Sequence, residues 1–115
     1  MPTTRTRFPQ AAFAVALLVS AVVLLLPSSG VPTAPPGTDK VVHLLVFAAL
    51  AGTGRWAGMP RVPLGAALLA YAVGSELVQG LTPIGRSMSA ADVVADVAGI
   101  ALGLLVWEAL THRER

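Results

Sequence analysis

Four stretches of the chain are apolar on every side, and each is interrupted by only a few polar residues. Phe8–Leu26 is apolar except for Gln10 and Ser20, and Val41–Ala57 carries His43, Thr53 and Arg55. Val62–Leu81 carries Glu76 and Gln79, and Ala90–Leu110 carries Asp92, Asp96 and Glu108. Crossing about 30 Å of hydrocarbon takes roughly 20 helical residues, so all four approach the length of a span. Their apolar character does not alternate, which favours helices over barrel strands. Pro and Gly clusters separate them: Pro27 to Pro36 with Gly30, then Pro60 and Pro63, then Pro83 and Gly85. The pattern predicts an all-α integral membrane protein, a four-transmembrane-helix bundle forming a single domain over residues 1–115.

The loops set the expected orientation. Arg5, Arg7, Arg55, Arg61, Arg113 and Arg115 fall on one side, and Lys40 and Arg86 on the other. The positive-inside rule then places both termini and the second loop in the cytoplasm. Phe8, Trp56 and Trp107 fall near that same interface, where belt aromatics collect. A cleaved signal peptide is the rival reading of the first segment. Its Val31-Pro32-Thr33-Ala34-Pro35 continuation makes a poor small-x-small cleavage site, so a retained helix is expected.

Composition agrees with a membrane class. The 115 residues are 55% hydrophobic and 12% charged, and mean hydropathy is +0.74. Soluble domains carry roughly a quarter charged residues, so there is too little polar surface here to coat a globule in water. Cysteine is absent, which removes disulfides, Cys–zinc sites and thiol catalysis. A net charge of +2 with no dense basic patch gives no sign of a nucleic-acid partner.

Ten polar or charged residues fall into three runs: Asp39-Lys40-x-x-His43, Glu76-x-x-Gln79, and Arg86-Ser87-x-Ser89-x-x-Asp92-x-x-x-Asp96. Helical rise places Glu76 about 21 Å along the third helix from Val62. The four-span topology then gathers all three runs in the outer third of the bundle. Residues three or four apart share a helix face, so Asp39 and His43, Glu76 and Gln79, and Asp92 and Asp96 each align. Asp96, Gly99 and Gly103 continue down one face of the fourth helix. A Gly-x-x-x-Gly stripe lets another backbone approach closely, so this face is expected to point inward.

Several of these residues have structural roles at hand. Asp39 or Thr38 suits an N-cap, and Ser89-x-x-Asp92 resembles a capping box. Arg86 pairs most simply with Asp92 or Glu76, and Lys40 can snorkel to the surface. His43 reads best as an interhelical hydrogen-bonder. Glu76 is the hardest to explain this way, because a carboxyl at that depth pairs with a cation or stays neutral. No metal-ligand spacing, phosphate-cradling loop or fixed triad is present, so no metal and no cofactor are expected.

Together, Asp39-Lys40-x-x-His43-x-x-x-Phe47, Glu76-x-x-Gln79, Pro83-x-Gly85-Arg86 and Asp92-x-x-x-Asp96-x-x-Gly99-x-x-x-Gly103 resemble the VanZ-like membrane protein family. The likeness covers roughly residues 38–104. Asp96 stands where the family pattern commonly has Asn, which adds a charge. The family takes its name from a protein linked to low-level teicoplanin resistance, so the resemblance implies a multi-pass protein of the bacterial cell membrane, not a reaction.

The leading functional expectation is a ligand-binding site facing outward. Asp39, Lys40, His43, Glu76, Gln79, Arg86, Asp92 and Asp96 are its candidate residues. Lys40 and Arg86 would engage an anionic lipid headgroup, an envelope precursor or a glycopeptide. Alternatives are an enzyme acting on a lipid-linked envelope substrate through Glu76 and Asp96, a transporter using the membrane carboxylates, and a polar core without ligand. A homodimer through Gly99 and Gly103 is the alternative use of the glycine stripe.

Overall fold

A computed structural model of the chain describes residues 4–25, 38–81 and 90–112. These form four α-helices: α1 Thr4–Leu25, α2 Thr38–Trp56, α3 Arg61–Leu81 and α4 Ala90–His112. Three of them contain stretches long and apolar enough to cross a membrane, Arg7–Leu24, Arg61–Val78 and Ala90–Thr111. The boundaries expected from the apolar pattern hold at the start of α4 and the end of α3. α1 begins earlier than expected, at Thr4, and runs through Pro9. Pro9 is the sixth residue of the helix, so its missing N–H leaves the Arg5 carbonyl without its i+4 donor near the helix start.

The turn between α2 and α3 is closed by a Schellman motif. Gly58 takes φ +96°, the Gly58 N–H donates to the Arg55 carbonyl at 3.0 Å, and the Met59 N–H donates to the Gly54 carbonyl at 3.0 Å. Left-handed backbone at this position suits glycine, and Pro60 follows where the helix cannot continue. The turn makes α2 and α3 antiparallel neighbours.

α2 and α4 run in the same direction and form the most extensive contact in the bundle. α1 packs on α2, α3 packs on both α2 and α4, and α1 touches α3 more lightly. α1 and α4 therefore occupy opposite corners. The apolar core is small: Leu24, Phe47, Leu50, Ala51, Leu64, Leu68, Ala72 and Ile100. The Phe47 and Tyr71 rings meet at 5.6 Å, and the Tyr71 hydroxyl lies 2.7 Å from Ser20 Oγ, tying α1 to α3. Large apolar side chains also cover the outside, including Leu18, Leu45, Val62, Val94 and Leu105. Such a surface matches hydrocarbon surroundings and is far more apolar than a monomer in water tolerates. Thr53 and Thr111 turn their hydroxyls back to the carbonyls of Ala49 and Trp107, which satisfies these two donors within their own helices.

Glycine decides how close α2 and α4 come. A Cβ on Gly99 would run into the Leu44 carbonyl, and one on Gly103 would sit 2.5 Å from the Ala48 oxygen and 2.7 Å from the Ala51 methyl. The glycine stripe thus faces inward, as its sequence predicts, and α2 of the same chain fills it. By contrast, Gly52 and Gly74 have nothing within 4 Å of a built Cβ.

This contrast sets a test. Gly99→Ala and Gly103→Ala should each destabilise the bundle by about 1–3 kcal/mol through overpacking against backbone. Gly52→Ala and Gly74→Ala should be neutral or stabilising by up to about 1 kcal/mol through helix propensity. Unfolding titrations in mixed micelles measure both. Equal effects at the two pairs of sites would show that α2 and α4 do not meet at this stripe.

Candidate polar site at one end of the bundle

The parallel run of α2 and α4 brings two of the three polar runs face to face. His43 Nδ1 lies 2.7 Å from Asp96 Oδ1, and both side chains are fully buried. With Asp96 ionised, Nδ1–H is the donor and the carboxylate accepts. On the other side of the ring, Nε2 lies 4.0 Å from Asp92 Oδ2, beyond hydrogen-bond length. Asp92 also faces Lys40, whose Nζ lies 3.0 Å from Oδ1. The order Lys40, Asp92, His43, Asp96 therefore runs from a side chain 41% exposed to one completely buried.

Helical spacing explains this arrangement. Lys40 and His43 are three residues apart on α2, and Asp92 and Asp96 four apart on α4, so each pair presents one face. The close approach at Gly99 lies one turn below Asp96 and holds the two faces together. Glu76 approaches from α3 and is 2% exposed. The carboxyls of Asp96, Asp92 and Glu76 all lie in the neighbourhood of the His43 ring. Asp96 Oδ2 is buried and has no hydrogen-bond partner among the described residues.

Five of the eight candidate residues thus converge: Lys40, His43, Glu76, Asp92 and Asp96. Lys40, which the sequence suggested can snorkel to the surface, is 41% exposed and ion-paired with Asp92. The pairing of Arg86 with Asp92 or Glu76 expected from the sequence lies outside the described residues. Asp39 and Gln79 fall on α2 and α3, but their side chains lie outside the described residues, as do Arg86, Ser87 and Ser89 in full. The capping roles expected of Asp39 and Ser89 lie outside them too.

Sequence reasoning missed a second polar cluster at the opposite end. Arg55 Nη2 donates to Glu108 Oε2 at 3.1 Å, and Arg61 Nη1 lies 3.7 Å from the same oxygen. Arg55 also donates to the Met59 carbonyl at 2.8 Å. One carboxylate of α4 thereby joins α2 and α3. A signal was available: Arg55 and Glu108 stand the same 53 residues apart as His43 and Asp96. Parallel helices keep such an offset constant, so one pair predicts the other.

Chemically, the buried pair can orient an imidazole and hold a proton between ring and carboxylate. Among the described residues no group of three or more His, Asp or Glu is disposed to hold a metal ion. Three cavities lined entirely by described residues lie elsewhere on the helices. Compared with protein-family models, curated proteins and solved structures, the chain matches none. Fold and site together define an all-helical protein with membrane-length helices and an ion-paired polar cluster at one end of its central helix pair.

The pair His43–Asp96 should behave as a unit. Asp96→Ala leaves the imidazole buried without its acceptor and should cost about 1–3 kcal/mol. Asp96→Asn keeps an acceptor and should cost less. The double variant His43→Ala/Asp96→Ala should be more stable than the sum of the single losses implies, and a double-mutant cycle in mixed micelles reads this. Strictly additive losses would mean that the two side chains do not interact.

Proposed function

We propose that the chain is a VanZ-like multi-pass protein of the bacterial cell membrane, with four spans and both termini in the cytoplasm. In this reading its polar cluster faces outward and contributes to glycopeptide tolerance by engaging an anionic envelope ligand. The observation that carries the reading is the graded cluster itself. Lys40 is its exposed member, and its ammonium is paired with the Asp92 carboxylate, behind which the His43–Asp96 pair is buried. A cation positioned in this way suits an anionic headgroup or the acidic part of an envelope precursor or glycopeptide.

The fourth span is α2. Its 19 residues extend about 28 Å, close to the hydrocarbon thickness. It is the most polar helix, yet His43 is buried against α4 and Arg55 is paired with Glu108, so lipid does not meet these groups directly. The basic end with Trp56 and Trp107 is the cytoplasmic one under the positive-inside rule. The family motifs of α2 and α4 also meet each other across one seam, which favours treating them as one site.

A second reading is favoured by the burial of His43 and Asp96: a polar lock that holds α2 against α4 and binds nothing. The two readings separate experimentally. In cells whose teicoplanin tolerance depends on this protein, Lys40→Ala should abolish tolerance while membrane abundance stays normal. Glu76→Gln should do the same. Loss of tolerance together with loss of protein would favour the lock, and full tolerance in both variants would remove ligand binding. Because the natural chain has no cysteine, a single one placed at Arg86 reports sidedness. Labelling at that position should occur from outside the cell, and labelling only from the cytosol would overturn the orientation.

A further inference from the structure

We propose that Arg61, just after the turn between α2 and α3, is the lead contact of a binding site for the phosphate of an anionic phospholipid headgroup. This goes beyond the polar site at the other end and requires only that the basic end of the bundle meet a bilayer surface.

Arg61 stands where the apolar stretch of α3 begins. Its neighbour Val62 is exposed, and so is Trp56 at the end of α2, on the other side of the short turn. A cation between an apolar helix surface and an interfacial indole lies at the depth of lipid headgroups.

The hydrogen-bonding capacity of this guanidinium is unspent. Arg61 Nη1 lies 3.7 Å from Glu108 Oε2, beyond hydrogen-bond length. None of its five N–H donors is bonded among the described residues. The same carboxylate oxygen already accepts from Arg55 Nη2 at 3.1 Å, and Arg55 Nη1 donates to the Met59 carbonyl. The two arginines therefore differ in role. Arg55 is 21% exposed and ties helices together, whereas Arg61 is 59% exposed and keeps its fork open. An exposed ion pair at this distance is weakly held, so Glu108 is a poor competitor for Arg61. A phosphate offers paired acceptor oxygens that a guanidinium fork can bond two at a time.

Charge selects the kind of lipid. Arg55, Arg61 and Glu108 together carry a net positive charge. Phosphatidylcholine brings its own ammonium beside the phosphate and gains little from this surplus. An anionic lipid such as phosphatidylglycerol is favoured about fivefold by each basic side chain near the membrane surface.

Both tryptophans of the chain, Trp56 and Trp107, belong to the Arg61 end, so their fluorescence reports lipids there and not beside Lys40. The full-length protein is reconstituted in phosphatidylcholine vesicles containing a small, equal fraction of phosphatidylglycerol or phosphatidylcholine brominated high on the acyl chain. Brominated phosphatidylglycerol should quench with about fivefold higher apparent affinity. Arg61→Gln should remove most of that preference, and Arg61→Lys, which keeps the charge without the fork, should retain an intermediate ratio. Glu108→Gln, which removes the competing carboxylate, should raise the preference above that of the natural chain. Arg7 of α1 is exposed at the same end, and Arg7→Gln should have a smaller effect than Arg61→Gln. Equal quenching by the two lipids in the natural protein would overturn the proposal. So would a preference that survives Arg61→Gln, or one that Arg7→Gln removes as fully, since diffuse basic charge and not this turn would then select the lipid.

Discussion

The seam between α2 and α4 is the contact on which the rest of the bundle depends. Lipid tails are as apolar as leucine, so burying apolar side chains gives little drive for helices to associate inside a bilayer. What remains is van der Waals contact and polar bonding. Gly99 and Gly103 supply the first by removing the side chains that would hold the backbones apart. His43–Asp96 at one end and Arg55–Glu108 at the other supply the second. The two polar pairs stand at the same offset along the parallel helices, so each fixes the register that the other requires.

Burial of the His43–Asp96 pair follows from that seam. The glycine contact lies one turn below Asp96, and at this separation no solvent fits between imidazole and carboxylate. The polarity of the site is therefore graded: an accessible ammonium at the rim, a nearly closed carboxylate behind it, and a sealed ring–carboxylate pair at the bottom. A buried pair broken on one side is far costlier than a surface pair, because the remaining group keeps its desolvation cost without compensation. This makes the inner members of the cluster positional and leaves Lys40 as the member with reach.

The same seam separates the two ends of the molecule. Close contact at Gly103 and the missing side chain at Gly52 create a furrow on the outer flank of α2 and α4, while the ion pairs of Glu108 reach Arg61 of α3. Apolar furrow and charged cluster lie on the two sides of one helix contact. Ser20 and Tyr71 perform a smaller version of the same task between α1 and α3.

Much of this was legible in the residues. All-round apolar stretches with proline and glycine between them are enough to define four helices, because hydrocarbon-length apolar segments have few other stable forms. Gly-x-x-x-Gly on the face of Asp96 told which side of α4 turns inward, since close approach needs the side without side chains. The alignment of Lys40 with His43 and of Asp92 with Asp96 follows from the helical period alone. Partner choice did not. Asp92 had several cations within plausible reach, and only the parallel placement of α2 beside α4 delivers Lys40 to it. Likewise Arg55, Arg61 and Glu108 read as separate interfacial charges until the tertiary arrangement brings three helix ends together. Sequence determines which faces are polar, because periodicity is local. Which polar faces meet depends on helix order and direction around the bundle, and those are set by packing between segments distant in the chain.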